Sequence, residues 1–246
     1  VIVAFVSYGN DSIALLQWLH ENKHTEVIAA YSETGWGADW WADRVKAGQA
    51  FAQRLGFQTV VIPSIGFVPL AKLKKAFPRN GMQFCTSKLK IEPAIAWLGE
   101  VDPAGNYTCA VGVRRAESAA RAQWPEWTEN SDKHGGRSLW APLCRLTDDE
   151  RDALLARAGF PVLAHRSSEC FPCINSGRRD LRLLTPERVD EIEAIEADVS
   201  QTLFRPNKFM GAKGIREIKR WADAERGKYE PPDEGGSGCD SGMCGS

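Results

Sequence analysis

The first half of this sequence predicts a doubly wound α/β fold with a mostly parallel sheet, followed by a helical, cysteine-bearing C-terminal part. Three observations carry that prediction. Short apolar runs alternate with segments of helical spacing from residue 1 to about residue 113. The connections between them are long enough for crossovers rather than hairpins. Polar motifs follow the strands, and such sheets place ligands beyond the carboxyl ends of their strands.

The elements run in order. VIVAFV is a buried-type strand, and DSIALLQWLHEN is helical, with Ile13, Leu16 and Leu19 on one face. EVIAAYSE is a second strand. Residues 39–55 read as a helix stopped at Gly56. FQTVVIP is a third strand, KIEPAIAWLGE a helix with Pro93 near its first turn, and YTCAVGV a fourth strand. Residues 114–140 are rich in Arg, Trp, Glu and Ser and predict no regular element. TDDERDALLARAG and TPERVDEIEAIEADVSQTL are helical, with Thr147 and Thr185 as N-caps and acidic side chains in each first turn. GIREIKRWADAERG is the last helix. The predicted organisation is an α/β domain at 1–145, a helical region with a cysteine loop at 146–230, and a flexible, cysteine-containing tail at 231–246, where Pro, Gly and Ser dominate.

Composition narrows the function classes. The chain has 246 residues, 43% of them hydrophobic, which suits a globular core. Its 31 basic and 32 acidic residues nearly cancel, so no global field draws it to nucleic acid or membrane. No apolar run reaches the length of a membrane span. A cytoplasmic protein without a membrane partner is expected. The seven cysteines are an odd number, which argues against a disulfide scaffold and toward metal, cluster or redox chemistry.

The loop SYGNDS, between the first strand and the first helix, admits two readings: an ordinary capped helix, or an anion cradle. Backbone N–H groups at such a helix start point at whatever lies over the loop. Gly9 permits close approach, Ser7 and Ser12 can donate hydroxyl hydrogen bonds, and Asp11 can cap the helix or orient a metal or ribose. Trp36 and Trp124 are candidates for stacking on a base. Cys109, inside a strand, reads as a small core residue.

Taken together, the motifs resemble the PAPS reductase family of the PP-loop (adenine-nucleotide alpha-hydrolase) superfamily, of the HUP type. SYGNDS is similar to the Ser-Gly-Gly-x-Asp-Ser loop, with Tyr8 at the first Gly. YSETG, with Thr34 and Gly35, resembles Asp-Thr-Gly. FCTSKLKIEP, with Cys85, Lys88, Lys90 and Pro93, resembles a Cys-Cys…Lys…Pro segment. GVRRAESAARA, with Gly112, Arg114, Glu117, Ser118 and Arg121, resembles a Gly-x-Arg…Ser…Arg loop, and ECFPC a Cys-x-Pro-Cys stretch. The resemblance implies an adenine nucleotide held by Ser7, Gly9, Asn10, Asp11, Ser12, Thr34, Gly35, Lys88, Lys90, Gly112, Arg114, Glu117 and Ser118. Asp11, Arg114 and Arg121 are the candidate catalytic residues, with Arg114 and Arg121 clamping the anionic end of the substrate.

The cysteines leave alternatives open. The assimilatory relatives hold a cluster on two adjacent cysteines plus a Cys-x-x-Cys, and here Phe84 replaces one of the adjacent pair. The expected ligand set for a 4Fe-4S cluster is Cys85, Cys144, Cys170 and Cys173, with Cys144 as our own substitute. Zinc or free thiols are the alternatives. Cys239 and Cys244 are candidate catalytic thiols by position, since the family's C-terminal cysteine attacks the sulfur of adenylyl sulfate and a thioredoxin-like reductant then regenerates it. Three functions follow. One is reduction of adenylyl sulfate or its 3′-phosphate. A second is an ATP pyrophosphatase, with Mg and ATP, that activates DNA or RNA for sulfur insertion, as in the DndC-like group, whose CT…LKI.P segment with a single cysteine this chain shares. The third is a non-catalytic nucleotide- or cluster-binding partner subunit.

Overall fold

A computed structural model describes residues 1–79, 81–205 and 214–229. Its centre is one sheet of six strands: β1 (Ile2–Phe5), β2 (Val27–Ser32), β3 (Gln58–Ile62), β4 (Thr108–Val111), β5 (Trp127–Ser131) and β6 (Arg137–Trp140). Their order is β3-β2-β1-β4-β6-β5. All pairs are parallel except β5 with β6. The predicted mostly parallel, doubly wound sheet is therefore present. Chain progression reverses between β1 and β4, which creates the crevice where sheets of this kind bind ligands.

Alternation along the central strand builds two faces. Ala4 and Val6 point to one side, with α1 (Asn10–Glu21), α2 (Trp41–Arg54) and α6 (Asp148–Ala158). Leu15, Leu16, Leu19, Phe51 and Leu155 close that side, each 3% exposed or less. A Leu buried this way contributes about 1.5–3 kcal/mol. Val3, Ile62, Cys109 and Leu139 face the other side, where α5 (Glu92–Val101) contributes Ala94 and Leu98. A third apolar cluster joins α3 (Phe67–Lys74), α7 (Arg178–Leu181), α8 (Pro186–Val199) and α9 (Ile215–Asp223) around Trp36, Phe67, Ile192 and Ile218.

Local chemistry explains the element ends. Thr147 accepts from the Glu150 amide while the Glu150 carboxylate accepts from the Thr147 amide, a full capping box. Thr185 caps α8 through the Arg188 amide. Gly56 follows α2 with φ +81°, a left-handed turn that glycine adopts without steric cost. The approach to α5 differs from the expected uniform helix. The short α4 (Phe84–Thr86) is followed by a π-helical turn over Ser87–Ile91, and α5 proper begins at Glu92. Residues 114–140 also differ, since they supply β5 and β6.

Candidate active site

The loop after β1 is organised by its own hydroxyls. Ser12 Oγ accepts from the Ser7 amide at 3.0 Å, and Ser7 Oγ accepts from the Gly9 amide at 3.3 Å. No side chain caps α1, whose first turn opens toward the crevice. Asn10 is tied up by the segment that covers the loop. Its amide donates to the Leu163 carbonyl and accepts from the Leu163 amide, both at 3.0 Å, which pins residues 163–167 over the loop. A Cβ on Gly9 would sit 3.1 Å from Ser167 Cβ, and one on Gly112 would sit 2.6 Å from the Asp11 carbonyl oxygen. The glycine of the loop after β4 is thus what lets that loop touch the loop after β1.

Tyr8 departs from the usual glycine and explains itself. It holds the left-handed backbone, φ +58°, that a glycine would favour. Its ring is fully buried and stacks on Tyr31 with centroids 5.8 Å apart. The space comes from Gly48 on α2, where a Cβ would lie 2.2 Å from the ring. Burial pushes the phenol above its ordinary pKa, and its hydroxyl has no partner among the described residues.

The crevice is a cleft of about 800 Å³. It is lined by Ser7, Gly9–Ser12, Gly112, Arg114, Glu117, Arg121, Lys90 and Glu169, with Arg151, His165 and Arg166 added from the helical region. Arg151, His165 and Arg166 were not singled out from sequence; each lies outside the motifs and only the fold brings it here.

Asp11 and Arg114 meet in this cleft. Arg114 Nε donates to Asp11 Oδ1 at 2.5 Å, Nη2 to Asp148 Oδ1 at 2.8 Å, and Nη1 to the Leu146 carbonyl at 3.3 Å. Arg114 is 1% exposed, so its guanidinium fork is committed to the protein rather than left to clamp a substrate. The fork expected to clamp an anionic substrate is held here by Asp11, Asp148 and the Leu146 carbonyl. Arg121 pairs with Glu117 at the mouth. Arg151 reaches Asp11 Oδ1 at 3.5 Å. Lys88 is exposed, pairs with Glu92 at 2.7 Å and does not line the cleft. Thr34 is buried and donates to the Glu169 carbonyl at 2.7 Å, while Gly35 makes a left-handed turn and donates to Glu33. Both belong to the seam between the β2 loop and the cysteine loop, not to the cleft lining. Ser118 follows Glu117 in the same loop, outside the cleft lining. Trp36, 1% exposed and stacked 4.7 Å from Phe67, is a core residue; Trp124 lines the cleft.

The cysteine loop is stitched to the loop after β2. Trp36 and Cys170 form a parallel bridge, the Phe171 amide donates to the Trp36 carbonyl at 2.7 Å, and Trp36 Nε1 donates to the Pro172 carbonyl at 3.2 Å. The Cys173 thiol beside it, with burial added, raises the pKa of Cys170, and the Cys170 thiol in turn lowers that of Cys173 to about 6. Cys85 lies near enough to both to feel their charge, and burial pushes it up. Lys90 is between cleft and thiols. Its Nζ lies 2.5 Å from Glu169 Oε1; burial opposes its charge, but Glu169 outweighs that and holds it above the usual lysine value.

Cys144 is not part of this group. It is fully buried after β6, its carbonyl accepting from the Arg115 amide at 2.9 Å. Among the described residues no three His, Cys, Asp or Glu side chains are placed to hold a metal. The four-cysteine set for a 4Fe-4S cluster does not fit, because Cys144 serves as a small apolar core side chain instead. Cys239 and Cys244 lie outside the described residues.

No protein-family model matches the chain. It is 28% identical over 159 residues to an uncharacterized 37.8 kDa protein in the gpa 5′ region of Escherichia phage 186. The match takes in 58% of this chain and 46% of that protein, so the chain spans about half the length of the curated relative it matches. Solved structures similar to it include a Candida auris phosphoadenylyl-sulfate (PAPS) reductase in a phosphate complex, with TM-score 0.48, 16% identity, and coverage of 65% of this chain and 74% of that one. An NMN synthetase from Francisella tularensis gives TM-score 0.48 and 12% identity over 90% of this chain and 83% of that one. A Candida glabrata FMN adenylyltransferase, with FAD and inorganic pyrophosphate, gives 0.45 and 12% over 87% and 69%. Among the described residues no helix is long and apolar enough to cross a membrane.

Proposed function

We propose that this chain binds an adenine nucleotide with its phosphates over Gly9–Ser12 and performs thiol-dependent reduction of an adenylyl sulfate. One observation carries the reading. Lys90 and Glu169 line the cleft while standing directly beside Cys85, Cys170 and Cys173, so an anion in the cleft and a thiol pair share one electrostatic neighbourhood. The open first turn of α1 supplies amides for phosphate, and Arg121, Arg151 and Arg166 supply positive charge at the mouth.

The chemistry would proceed in two displacements. The Cys173 thiolate attacks the sulfur of the adenylyl sulfate; the S–S bond forms as the phosphosulfate S–O bond breaks, and AMP (or its 3′-phosphate) leaves with the electron pair. Cys170 thiolate then attacks Cys173 Sγ, which releases sulfite and leaves a Cys170–Cys173 disulfide, the proton of Cys170 passing to solvent. The sulfur centre is reduced by two electrons and the dithiol is oxidised by two. A thioredoxin-like dithiol is the reductant that would reopen the disulfide.

A second reading rests on Asp11. Both arginine contacts fall on Oδ1, which leaves Oδ2 without a side-chain partner among the described residues. That oxygen suits Mg bound with ATP, as an ATP pyrophosphatase supplying activated DNA or RNA for sulfur insertion would need. A cluster version finds no group of three ligands placed to hold it among the described residues.

Reduced protein incubated anaerobically with adenylyl sulfate, its 3′-phosphate or ATP separates these. Sulfite and AMP in a 1:1 ratio, lost in Cys173→Ser, supports reduction. Pyrophosphate from ATP with no sulfite supports the second reading, and no product from any of them indicates a non-catalytic partner subunit. Iodoacetamide at pH 7 should alkylate Cys173 faster than Cys85, and Cys170→Ala should slow it; equal rates would remove the thiolate from the scheme.

A further inference from the structure

The cleft does not end at the phosphate loop. It runs inward along the sheet face that α5 only partly covers, where Phe5, Ala30, Ala94, Val111 and Leu139 form an apolar recess. The turn between β5 and β6 also lines this part of the cleft, with Ser131, Lys133 and His134. No sequence motif drew attention to these residues, and the phosphate reading uses none of them.

This turn is unusually well fixed. Arg137 is 5% exposed, and its Nε donates to Asp102 Oδ2 at 2.7 Å. Its Nη2 donates to the carbonyls of Leu98 (2.9 Å) and Asp102, while Nη1 reaches the carbonyls of His134 and Gly135, both at 3.4 Å. One buried guanidinium thereby staples the turn to the end of α5. Gly135 has φ +62°, and a Cβ there would come within 2.9 Å of Arg137 Nη1. A turn held so firmly can aim a side chain.

The aimed side chain is His134. Its Nδ1 lies 2.9 Å from Ser131 Oγ, and its ring lies 5.4 Å from the Phe5 ring, tilted by 49°. Whichever of Ser131 and Nδ1 donates, Nε2 is left without a protein partner among the described residues. Burial, with Lys133 adding a smaller repulsion, lowers the imidazole pKa and keeps the ring neutral at pH 7. Phe5 offers a partly buried aromatic ring beside it. An apolar recess with one aromatic ring and one oriented, neutral hydrogen-bonding group suits a planar heterocycle.

We infer that His134, oriented by Ser131, reads the edge of the nucleobase in this recess, while the phosphates occupy the loop after β1. This rests on the nucleotide reading above. His134 is then a specificity-determining residue for the base and takes no part in holding phosphate. The ring can present Nε2 as donor or acceptor because Ser131 can take either complementary role.

The test uses three probes on the full chain by calorimetry: ATP, purine riboside triphosphate, which lacks the 6-amino group, and inorganic tripolyphosphate. Wild type should bind ATP about tenfold more tightly than purine riboside triphosphate, the scale of one lost hydrogen bond in a buried site. His134→Ala should erase that ratio and leave tripolyphosphate affinity unchanged. Ser131→Ala should narrow it and serves if His134→Ala fails to fold. An unchanged ratio in a folded variant, or equal loss of tripolyphosphate, overturns the inference while leaving phosphate binding intact. Wild-type protein that binds neither ATP nor tripolyphosphate overturns the nucleotide reading, and this inference with it.

Discussion

The two faces of the sheet are built from the same strands and end differently. On the α1–α2–α6 side the apolar side chains are packed under the helices, down to a tyrosine ring fitted over a glycine. On the other side α5 and one stapled turn cover part of the surface and leave the recess. Burial is the strong driving force in both, so the difference teaches where the fold gives up stability. Phe5 and Val111 remain partly uncovered in the cleft, where a ligand could cover them.

The comparison can be broken most sharply at the open face. Arg137→Ala leaves Asp102, itself 4% exposed, as an unpaired buried carboxylate, which should cost about 3–5 kcal/mol in urea unfolding. Burial alone would raise Asp102, but the amides of Tyr107 and Asn106 and the Arg137 guanidinium outweigh it and hold the carboxyl below its usual range. A depressed carboxyl adds stability that is present above its unfolded pKa of about 4 and lost as pH falls through the folded value. Below about pH 4, wild type should lose that contribution, and Asp102→Asn should flatten the acid limb of the stability curve. An acid limb identical in the variant would show that the staple is not the cause.

The closed face should give a smaller effect with a built-in control. Gly48→Ala must displace the Tyr8 ring and should cost about 2 kcal/mol. Tyr8→Gly on top of it should cost less than the two single losses summed, since the ring that the new Cβ displaces is then gone. Additive losses in the double variant would contradict the fitted pair. Outside both faces, Lys88→Ala removes only an exposed ion pair with Glu92, and its thermal midpoint should match wild type.

Much of the architecture was legible because long elements carry periodicity. β1 through β4, α2, α6, α8 and α9 lie within the segments the sequence predicts, and α1 and α5 each overrun theirs by one residue. The short α4 and α7 were not legible, and neither were three others. α3 has Pro69 at its third residue, which masks a helix that needs no amide there. β5 and β6 are short, and β5 exposes most of its residues on an edge, so no alternation announces them. The loop after β1 stood out in the sequence because it sits between an apolar strand and a helical segment. His134 was not, since a single histidine among polar residues has no pattern until Arg137 and Ser131 are seen around it. Cys144 failed for the opposite reason: its residue type suggested a ligand, whereas the packing uses only its size.

The paired hydrogen bonds between Asn10 and Leu163 have a consequence for how the molecule comes into being. They join positions 153 residues apart. A chain leaving the ribosome presents the β1 loop well before the backbone that covers it, which is made about 150 residues later. Until then the parallel strands can pair, but the crevice has no roof. Closing so long a segment is entropically slow, so ligand-binding ability should mature after the sheet itself rather than with it.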